Sequence, residues 1–266
     1  YLNDGKGQFS KSNNLPNIAS SNSVAKAADY DGDGDMDLFI GGRQIPGKYG
    51  EIPQSYLLEN EGGKFSEVTQ TIAPDLTEIG MVTDAIWMDF DEDNDQDLVV
   101  VGEWMPLVVF KNDNAIFSKT DFEDISGIGW WYSLNASDLD GDGDDDYILG
   151  NLGLNNKFGA KKEKPFHVFC NDFDGTGNLD IVLSKESKGT LLPVRGRECS
   201  SQQMPFIAEK FPTFTEFAEA DLEKIYGEEK LSEALHYVAN NFETVVLIND
   251  GKGNFTMKSL PIQAQY

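Results

Sequence analysis

Four short segments of the sequence place aspartate at alternate positions, and each has the residue types of a cation-binding loop. They read DYDGDGDMD, DFDEDNDQD, DLDGDGDDD and DFDGTGNLD, they begin at Asp29, Asp89, Asp138 and Asp172, and they are called loops 1 to 4 below. Counted from the first Asp, carboxylates fall at positions 1, 3, 5 and 9, except that position 5 of loop 4 is Thr176. Hard cations bind six to eight oxygens, and alternate side chains of a tight loop converge on one point.

The sixth residue of each loop supplies the sharp turn that this convergence needs, because it is always glycine or asparagine. These residue types enter left-handed backbone conformations at low cost. The seventh residue would offer its carbonyl oxygen, which leaves its side chain free or bridged by water. A cage of many protein oxygens favours Ca²⁺, with Mg²⁺ and Mn²⁺ open as alternatives. The predicted ligand residues are Asp29, Asp31, Asp33, Asp35, Asp37, Asp89, Asp91, Asp93, Asp95, Asp97, Asp138, Asp140, Asp142, Asp144, Asp146, Asp172, Asp174, Thr176, Asn178 and Asp180.

Other kinds of metal site fit these loops less well. An EF-hand places a bidentate glutamate at position 12, where a helix begins, but position 12 here is aliphatic and falls in an expected strand. Zinc is excluded because no Cys or His accompanies the carboxylates. A solvated acidic turn without an ion could account for one such loop, but it does not account for four loops at fixed positions of a repeat. Up to four Ca²⁺ ions are therefore expected, and loop 4 should bind most weakly because it has the fewest carboxylates.

The overall charge limits the partners of the chain. Lys and Arg number 21 against 46 Asp and Glu, which gives a formal net charge of -25 and excludes nucleic acid and anionic membrane surfaces as favoured partners. Hydrophobic residues make up 39% of the chain, enough for a sizeable core. No apolar run reaches the roughly 18 to 20 residues of a membrane span. The sequence starts at Tyr1 without a leader pattern, so we expect it to be part of a longer protein.

A second repeated pattern lies between the acidic loops. Four stretches read as a strand, an Asn, Asp or Gly turn and a returning strand that ends in Phe9, Phe65, Phe117 or Phe255. The first three of these Phe residues precede the next acidic loop by 20 to 24 residues. The unit is therefore strand A, acidic loop, strand B, connector, strand C, tight turn, strand D. Four short antiparallel strands at this period predict the blade of a β-propeller.

The fold prediction is an all-β propeller fragment over residues 1–266, with about four four-stranded antiparallel blades that belong to a larger propeller. A half blade is expected at 1–20, and full blades near 24–75, 83–127, 130–187 and 188–266. Loop 4 is placed at the turn between strands C and D of the third blade, which are expected at 165–170 and 181–184. Apolar residues at helical spacing predict a helical insertion at about 199–241 in the last blade, packed outside it.

Residues outside the loops leave several alternatives open. Cys170 and Cys199 lack the spacing of a metal site and form either one disulfide or two free thiols. His167 and His236 have no partner that spacing suggests, so structural roles are favoured. The aromatic run at 130–132 could stack on a sugar, but packing in the core is the favoured interpretation.

These loops, together with NDGKGQF, NDGKGNF, GWWYS, GNLGLN and the stretch at 204–227, resemble the FG-GAP/VCBS repeats of integrin-α-like propellers. More closely, the chain resembles large secreted or surface proteins of Bacteroidetes in which such repeats accompany ASPIC/UnbV domains. The resemblance implies Ca²⁺ at each loop and an extracytoplasmic location, either secreted or on the outer-membrane surface. It implies little about activity, because propellers serve adhesion, sugar binding and catalysis.

Three classes of function remain at the level of sequence. The leading one is a calcium-stabilised binding or scaffold module of a bacterial surface or secreted protein, with a protein or glycan ligand. A polysaccharide-active lyase or hydrolase with its site in the propeller funnel is the alternative. However, the sequence has no nucleophile elbow, HExxH motif or phosphate loop. A calcium sensor or buffer is the third class.

Overall fold

Antiparallel sheets of four strands dominate the computed structural model, which describes residues 1–18, 20–91, 93–252 and 254–266. There are four such sheets, one of them extended by a two-residue strand, so the all-β class with four-stranded antiparallel blades is confirmed. Among these residues, no helix combines the length and the apolar character that a bilayer crossing requires.

The first half of the chain forms a hairpin and two sheets in sequence order. The hairpin consists of β1 (Leu2–Asn3) and β2 (Phe9–Ser10). The first sheet consists of β3 (Ser21–Ala28), β4 (Asp37–Gln44), β5 (Tyr56–Glu61) and β6 (Lys64–Glu67). Helix α1 (Thr69–Ile72) and a 3-10 turn (Pro74–Leu76) follow. The second sheet consists of β7 (Met81–Met88), β8 (Asp97–Met105), β9 (Val108–Asp113) and β10 (Ile116–Asp121).

The third sheet is interrupted by a long insertion. After α2 (Glu123–Ser126) and the short β11 (Gly129–Trp130), which pairs with β8, it begins with β12 (Ser133–Ser137) and β13 (Asp146–Gly150). The insertion carries β14 (Phe166–Asn171), β15 (Asp180–Ser187) and β16 (Thr190–Pro193). Five helices follow, α3 (Arg197–Gln203), α4 (Phe206–Lys210), α5 (Phe214–Ala218), α6 (Leu222–Tyr226) and α7 (Glu228–Ser232).

The chain then returns to the third sheet. Strand β17 (Leu235–Ala239) pairs with β14 and completes the inserted sheet, whose order is β16-β15-β14-β17. Strands β18 (Val245–Asn249) and β19 (Phe255–Ser259) complete the third sheet in the order β12-β13-β18-β19. A 3-10 turn (Ile262–Ala264) lies near the end of the chain.

The three regular sheets stack as neighbouring blades, with strands β3, β7 and β12 side by side. The Ser23 hydroxyl of β3 donates to the Val82 carbonyl of β7, and the Thr83 hydroxyl of β7 donates to the carbonyl of Trp131, two residues before β12, both at 2.7 Å. One apolar cluster fills the space between the first and second sheets, and another fills the space between the second and third. The order of strands in each blade is therefore A-B-C-D, with strand A innermost.

The inserted sheet lies between these blades and the helices. One face, with Phe166 and Val168, packs on Trp104 and Phe242, whereas the other face packs on helices α3 to α7. The expected helical insertion at 199–241 thus corresponds to helices over residues 197–232, which, in the described part of the chain, pack on the inserted sheet and not directly on the blade that the insertion interrupts. The prediction of helix is wrong for the last part of this range, because the residues from Leu235 form strand β17. Their pairing with β14 outweighs the helical spacing of the apolar residues.

The predicted third and fourth blades, at 130–187 and 188–266, are wrong in their strand assignment. Residues 165–170 and 181–184, expected as strands C and D of the third blade, fall in β14 and β15 of the inserted sheet. The actual strands C and D are β18 and β19. Loop 4 therefore joins two adjacent strands, β14 and β15, as the other loops do, and not the predicted C-to-D turn. The spacing led to the wrong assignment because the number of residues between loop 3 and β14 is close to the number between a regular loop and its strand C.

Two histidines meet on the inserted sheet, although their spacing suggested no partner. The distance from His167 Nδ1 to His236 Nε2 is 3.0 Å, the two rings are 14° from parallel, and Phe169 stacks on His236 with ring centroids 4.1 Å apart. A single proton between the two nitrogens satisfies this contact. Burial lowers the pKa of both imidazoles below their ordinary value of 6.5, and the charge of His236 lowers that of His167 further.

The histidine pair predicts a pH dependence of stability. Because both folded-state pKa values lie below 6.5, the unfolded chain binds more protons just below that pH, so stability is lost as pH falls through this window. We expect the free energy of unfolding of the wild type, minus that of His236→Gln, to decrease as pH falls from neutrality to below 6.5. Urea denaturation in saturating calcium measures this difference. A difference that is constant with pH would contradict the prediction.

Candidate metal centres

The first aspartate of each loop fixes the turn by accepting backbone hydrogen bonds. A carboxylate oxygen accepts from the N–H of the sixth residue at 3.1, 3.0, 3.2 and 2.8 Å in loops 1 to 4. The sixth residues, Gly34, Asn94, Gly143 and Gly177, have φ values of 96°, 73°, 106° and 86°. These lie in the left-handed region that glycine and asparagine enter at low cost. The local sequence alone therefore closes the turn.

The ninth aspartate is the anchor of the loop and is buried. Asp37, Asp97 and Asp146 are 0% exposed and Asp180 is 6% exposed. One oxygen of each accepts the N–H of the second loop residue at 2.7 to 3.2 Å. In loops 1 to 3 the other oxygen accepts the N–H of an asparagine on strand C at 2.7 to 2.8 Å. This side chain therefore ties the loop to the sheet.

In each loop three carboxylates converge on one point. One oxygen from each member of the triad lies within 4.8 Å of the others. The triads are Asp29, Asp31 and Asp33; Asp89, Asp91 and Asp97; Asp138, Asp140 and Asp146; and Asp172, Asp174 and Asp180. Two oxygens bound to one Ca²⁺ at about 2.3 to 2.6 Å are at most about 5 Å apart, so each triad fits a shared ion.

The donor set also fits a hard cation, because every member of the four triads is a carboxylate. The four triads can therefore hold metal ions, and their chemistry is compatible with Ca²⁺. Other predicted ligands lie outside the triads, namely Asp35, Asp37, Asp93, Asp95, Asp142, Asp144, Thr176 and Asn178. Their proposed coordination stays a prediction.

The seventh aspartates contact the turn between strands C and D instead of pointing freely into solvent. The Asp35 carboxylate accepts the Gly62 N–H at 2.5 Å, and the Asp95 carboxylate accepts the Asn114 N–H at 3.3 Å. In loop 3 the Asp144 carboxylate lies so close to Gly251 that a Cβ there would collide with it. Each regular loop is thus held by its own C-to-D turn, which the sequence interpretation did not foresee.

The buried ninth carboxylates of loops 1 and 2 resist ionisation in the absence of a cation. Burial raises the pKa of Asp37 to about 6, and the charges of Asp31 and Asp33 add to this effect. Burial raises the pKa of Asp97 to about 6 in the same way, with Asp91 and Asp93 contributing. A bound divalent cation would offset both the burial and the mutual repulsion of these groups.

Loop 4 has neighbours that the other loops lack. Gln203 Nε2 on α3 donates to Asp180 Oδ1 at 3.2 Å. Lys230 Nζ on α7 donates to the carbonyls of Asp172 and Phe173 at 3.0 and 2.8 Å. Sequence interpretation missed both residues, because they are 23 and more than 50 positions away and belong to no repeated pattern. The helical spacing of apolar residues within 197–232 was the signal in the sequence that helices, and not a strand, pack against loop 4.

The remaining candidate residues serve mainly in packing. Trp131 is 0% exposed, Trp130 packs among the rings of Trp104, Phe158 and Phe242, and Tyr132 remains 45% exposed. Cys170 and Cys199 are both free thiols, the first buried and the second exposed. A cavity of about 520 Å³ opens between the inserted sheet and helices α6 and α7, with Phe169, Leu191 and Asp221 in its wall.

Comparison with known proteins gives one family match. The family model of the FG-GAP-like repeat matches residues 1–40 and 89–149, which contain loops 1, 2 and 3. Loop 4 and the helical insertion lie outside both matched segments. No curated protein matches the chain. The FG-GAP part of the resemblance is thus supported, whereas the narrower VCBS and ASPIC/UnbV association is not addressed by the match.

The anchoring role of the ninth aspartate predicts a loss of stability that needs no metal. Asp97→Ala leaves the buried N–H groups of Phe90 and Asn112 without acceptors, at a cost of about 1–3 kcal/mol for each buried group. The matched variant Asp93→Ala removes an exposed carboxylate and should change the free energy of unfolding far less. Urea denaturation in a calcium chelator compares the two. Equal effects of the two substitutions would contradict the metal-independent anchoring role of Asp97.

Proposed function

We propose that the chain is a calcium-stabilised binding or scaffold module whose four loops hold structural ions. The observation that carries this proposal is the convergence of three carboxylates in every loop at the junction of strands A and B. Each regular loop also contacts strand C and the C-to-D turn, so an ion there would brace three segments of one blade. The FG-GAP-like match over loops 1 to 3 supports the same interpretation.

The ions would act on the fold rather than on a substrate. The triads lie within the connections of the blades, where bound Ca²⁺ would relieve repulsion among carboxylates. No observation on the described residues favours the alternative of a polysaccharide-active enzyme. A sugar platform would need several exposed rings, yet in the run at 130–132 Trp131 is fully buried and Trp130 lies within an aromatic cluster, which leaves Tyr132, 45% exposed, as the accessible ring of that run.

We further propose that the module is extracytoplasmic, either secreted or on the outer-membrane surface, and that it binds protein or glycan. The loops are largely exposed and depend on clustered charge, which suits the higher calcium concentrations at which extracellular modules bind. The net charge of -25 argues against nucleic acid and favours ligands that are neutral or cationic. Further blades of a longer parent chain are proposed as neighbours of the first and third sheets.

Removal of calcium should destabilise the protein. A site occupied at 100 times its dissociation constant contributes about 2.7 kcal/mol, so loss of several sites should lower the melting temperature by many degrees. Differential scanning calorimetry in calcium and in excess chelator measures the shift, and magnesium alone is the control for ion type. An unchanged melting temperature in chelator would refute a structural role for the ions.

Loop 4 should be the weakest site, and adding a carboxylate should strengthen it. Thr176→Asp restores the charge that loops 1 to 3 carry at position 5, and calcium affinity in such loops follows the number of charged ligands. Calorimetric titration should show that the weakest class of sites tightens in this variant. Thr176→Asn, which replaces the hydroxyl oxygen with an uncharged amide oxygen, is the matched control. No gain from the aspartate would contradict the assignment.

A further inference from the structure

Loops 1 to 3 share one positioning residue, the asparagine that ends strand C or lies near its end. Its backbone N–H donates to the ninth aspartate of the loop, as Asn60 does to Asp37 at 2.8 Å. Its side-chain amide donates to the carbonyl of the eighth residue, at 3.0, 3.2 and 3.5 Å for Asn60, Asn112 and Asn249. The regular loops are thus positioned by their own sheet.

Loop 4 is positioned by helices instead. The strand that follows β15, β16, pairs only with Ser184 to Ser187, at the end of β15 away from the loop. In the regular loops one oxygen of the ninth aspartate accepts a backbone N–H of strand C; in loop 4 the corresponding oxygen of Asp180 accepts from the side-chain amide of Gln203. The backbone carbonyls of Asp172 and Phe173 accept from the Lys230 ammonium. A return bond from the Asn171 side chain to the Lys230 carbonyl, 2.7 Å, fixes the start of the loop to α7.

The local charge of loop 4 suits this arrangement. It contains three carboxylates, whereas loop 1 contains five and loop 3 contains six. The ammonium group of Lys230 also contacts its backbone carbonyls, whereas in loop 2 the Lys111 ammonium donates to the Asp91 carboxylate instead, at 3.1 Å. Because fewer charges repel one another, protein contacts can hold loop 4 near its binding geometry before an ion arrives.

We propose that Gln203 and Lys230 are the positioning residues of loop 4, and that cation binding to loop 4 and docking of helices α3 and α7 form one coupled equilibrium. The coupling rests on the proposed function, because it assumes that loop 4 binds calcium. Linkage makes it reciprocal, so the ion stabilises helix docking by as much as helix docking strengthens ion binding. Loops 1 to 3, positioned by their own sheets, lie outside this equilibrium.

Site-resolved hydrogen exchange across a calcium titration tests the first direction. Loss of an outer contact to a metal ligand typically weakens binding 10- to 100-fold. We expect Gln203→Ala to raise the calcium concentration for half-maximal protection of peptide 172–180 by about 10-fold or more, and to leave loops 1 to 3 unchanged. The matched variant Asn60→Ala should shift loop 1 only. A Gln203→Ala midpoint equal to wild type, or a shift shared by all loops, would overturn the proposal.

The reverse direction uses ligand variants in saturating calcium. Asp174→Asn removes a charge from the loop 4 triad and should speed exchange in α3 and α7 as well as in the loop. Asp31→Asn, at the same position of loop 1, should leave both helices as protected as in wild type. Unchanged helix protection in Asp174→Asn, with protection of loop 4 lost, would show that the loop and the helices are independent.

A calcium-free arm separates this proposal from the broader one. If calcium protects none of the loops in the wild type, the proposed function fails. The positioning role of the helices is then tested separately, by hydrogen exchange in chelator. Lys230→Met should speed exchange of peptide 172–180, whereas Lys224→Met on neighbouring α6 should not. Equal exchange in Lys230→Met and wild type would overturn the positioning role even if all four loops bind calcium.

Discussion

A buried carboxylate at the start of strand B is the constraint on which the blades depend. Removal of a charge from water is costly unless hydrogen bonds replace the lost solvent. Asp37, Asp97 and Asp146 each meet this requirement with two backbone N–H groups, one from their own loop and one from strand C. The same side chain therefore closes the loop and fixes the end of strand C beside the start of strand B.

This arrangement creates a second requirement, because the buried carboxylate lies beside others. The triads gather like charges within 4.8 Å in a chain whose net charge is already -25. Backbone N–H groups offset part of the repulsion, but they cannot supply a full positive charge. A divalent cation can, which links the geometry of the fold to the presence of the ion. Loop 4 meets the same problem with fewer carboxylates and with the ammonium group of Lys230.

Much of this could be predicted from the sequence, because the relevant contacts are local. The turn at position 6, the alternation of ligands and the strand-turn-strand pattern all act within about ten residues, so their residue types are diagnostic. The assignment of the third blade failed where contacts are distant. Asn249 donates to Asp146 across 103 positions, and nothing in the spacing distinguishes it from the nearer Asn171. The contact between His167 and His236 is hidden for the same reason, since only the pairing of β14 with β17 brings them together.

The comparison of loop 4 with the others separates what the loop encodes from what its surroundings supply. Loop 4 keeps the bond from position 1 to position 6 and the bond from position 9 to position 2, although its sheet has a different strand order. The nine residues are therefore a self-contained turn that can join any two adjacent antiparallel strands. Only the contacts from outside the loop differ: strand C supplies them in loops 1 to 3, and helices α3 and α7 supply them in loop 4. Because the insertion enters after strand B, at the end of the third sheet away from loop 3, it adds a fourth acidic loop without disturbing the supports of the first three.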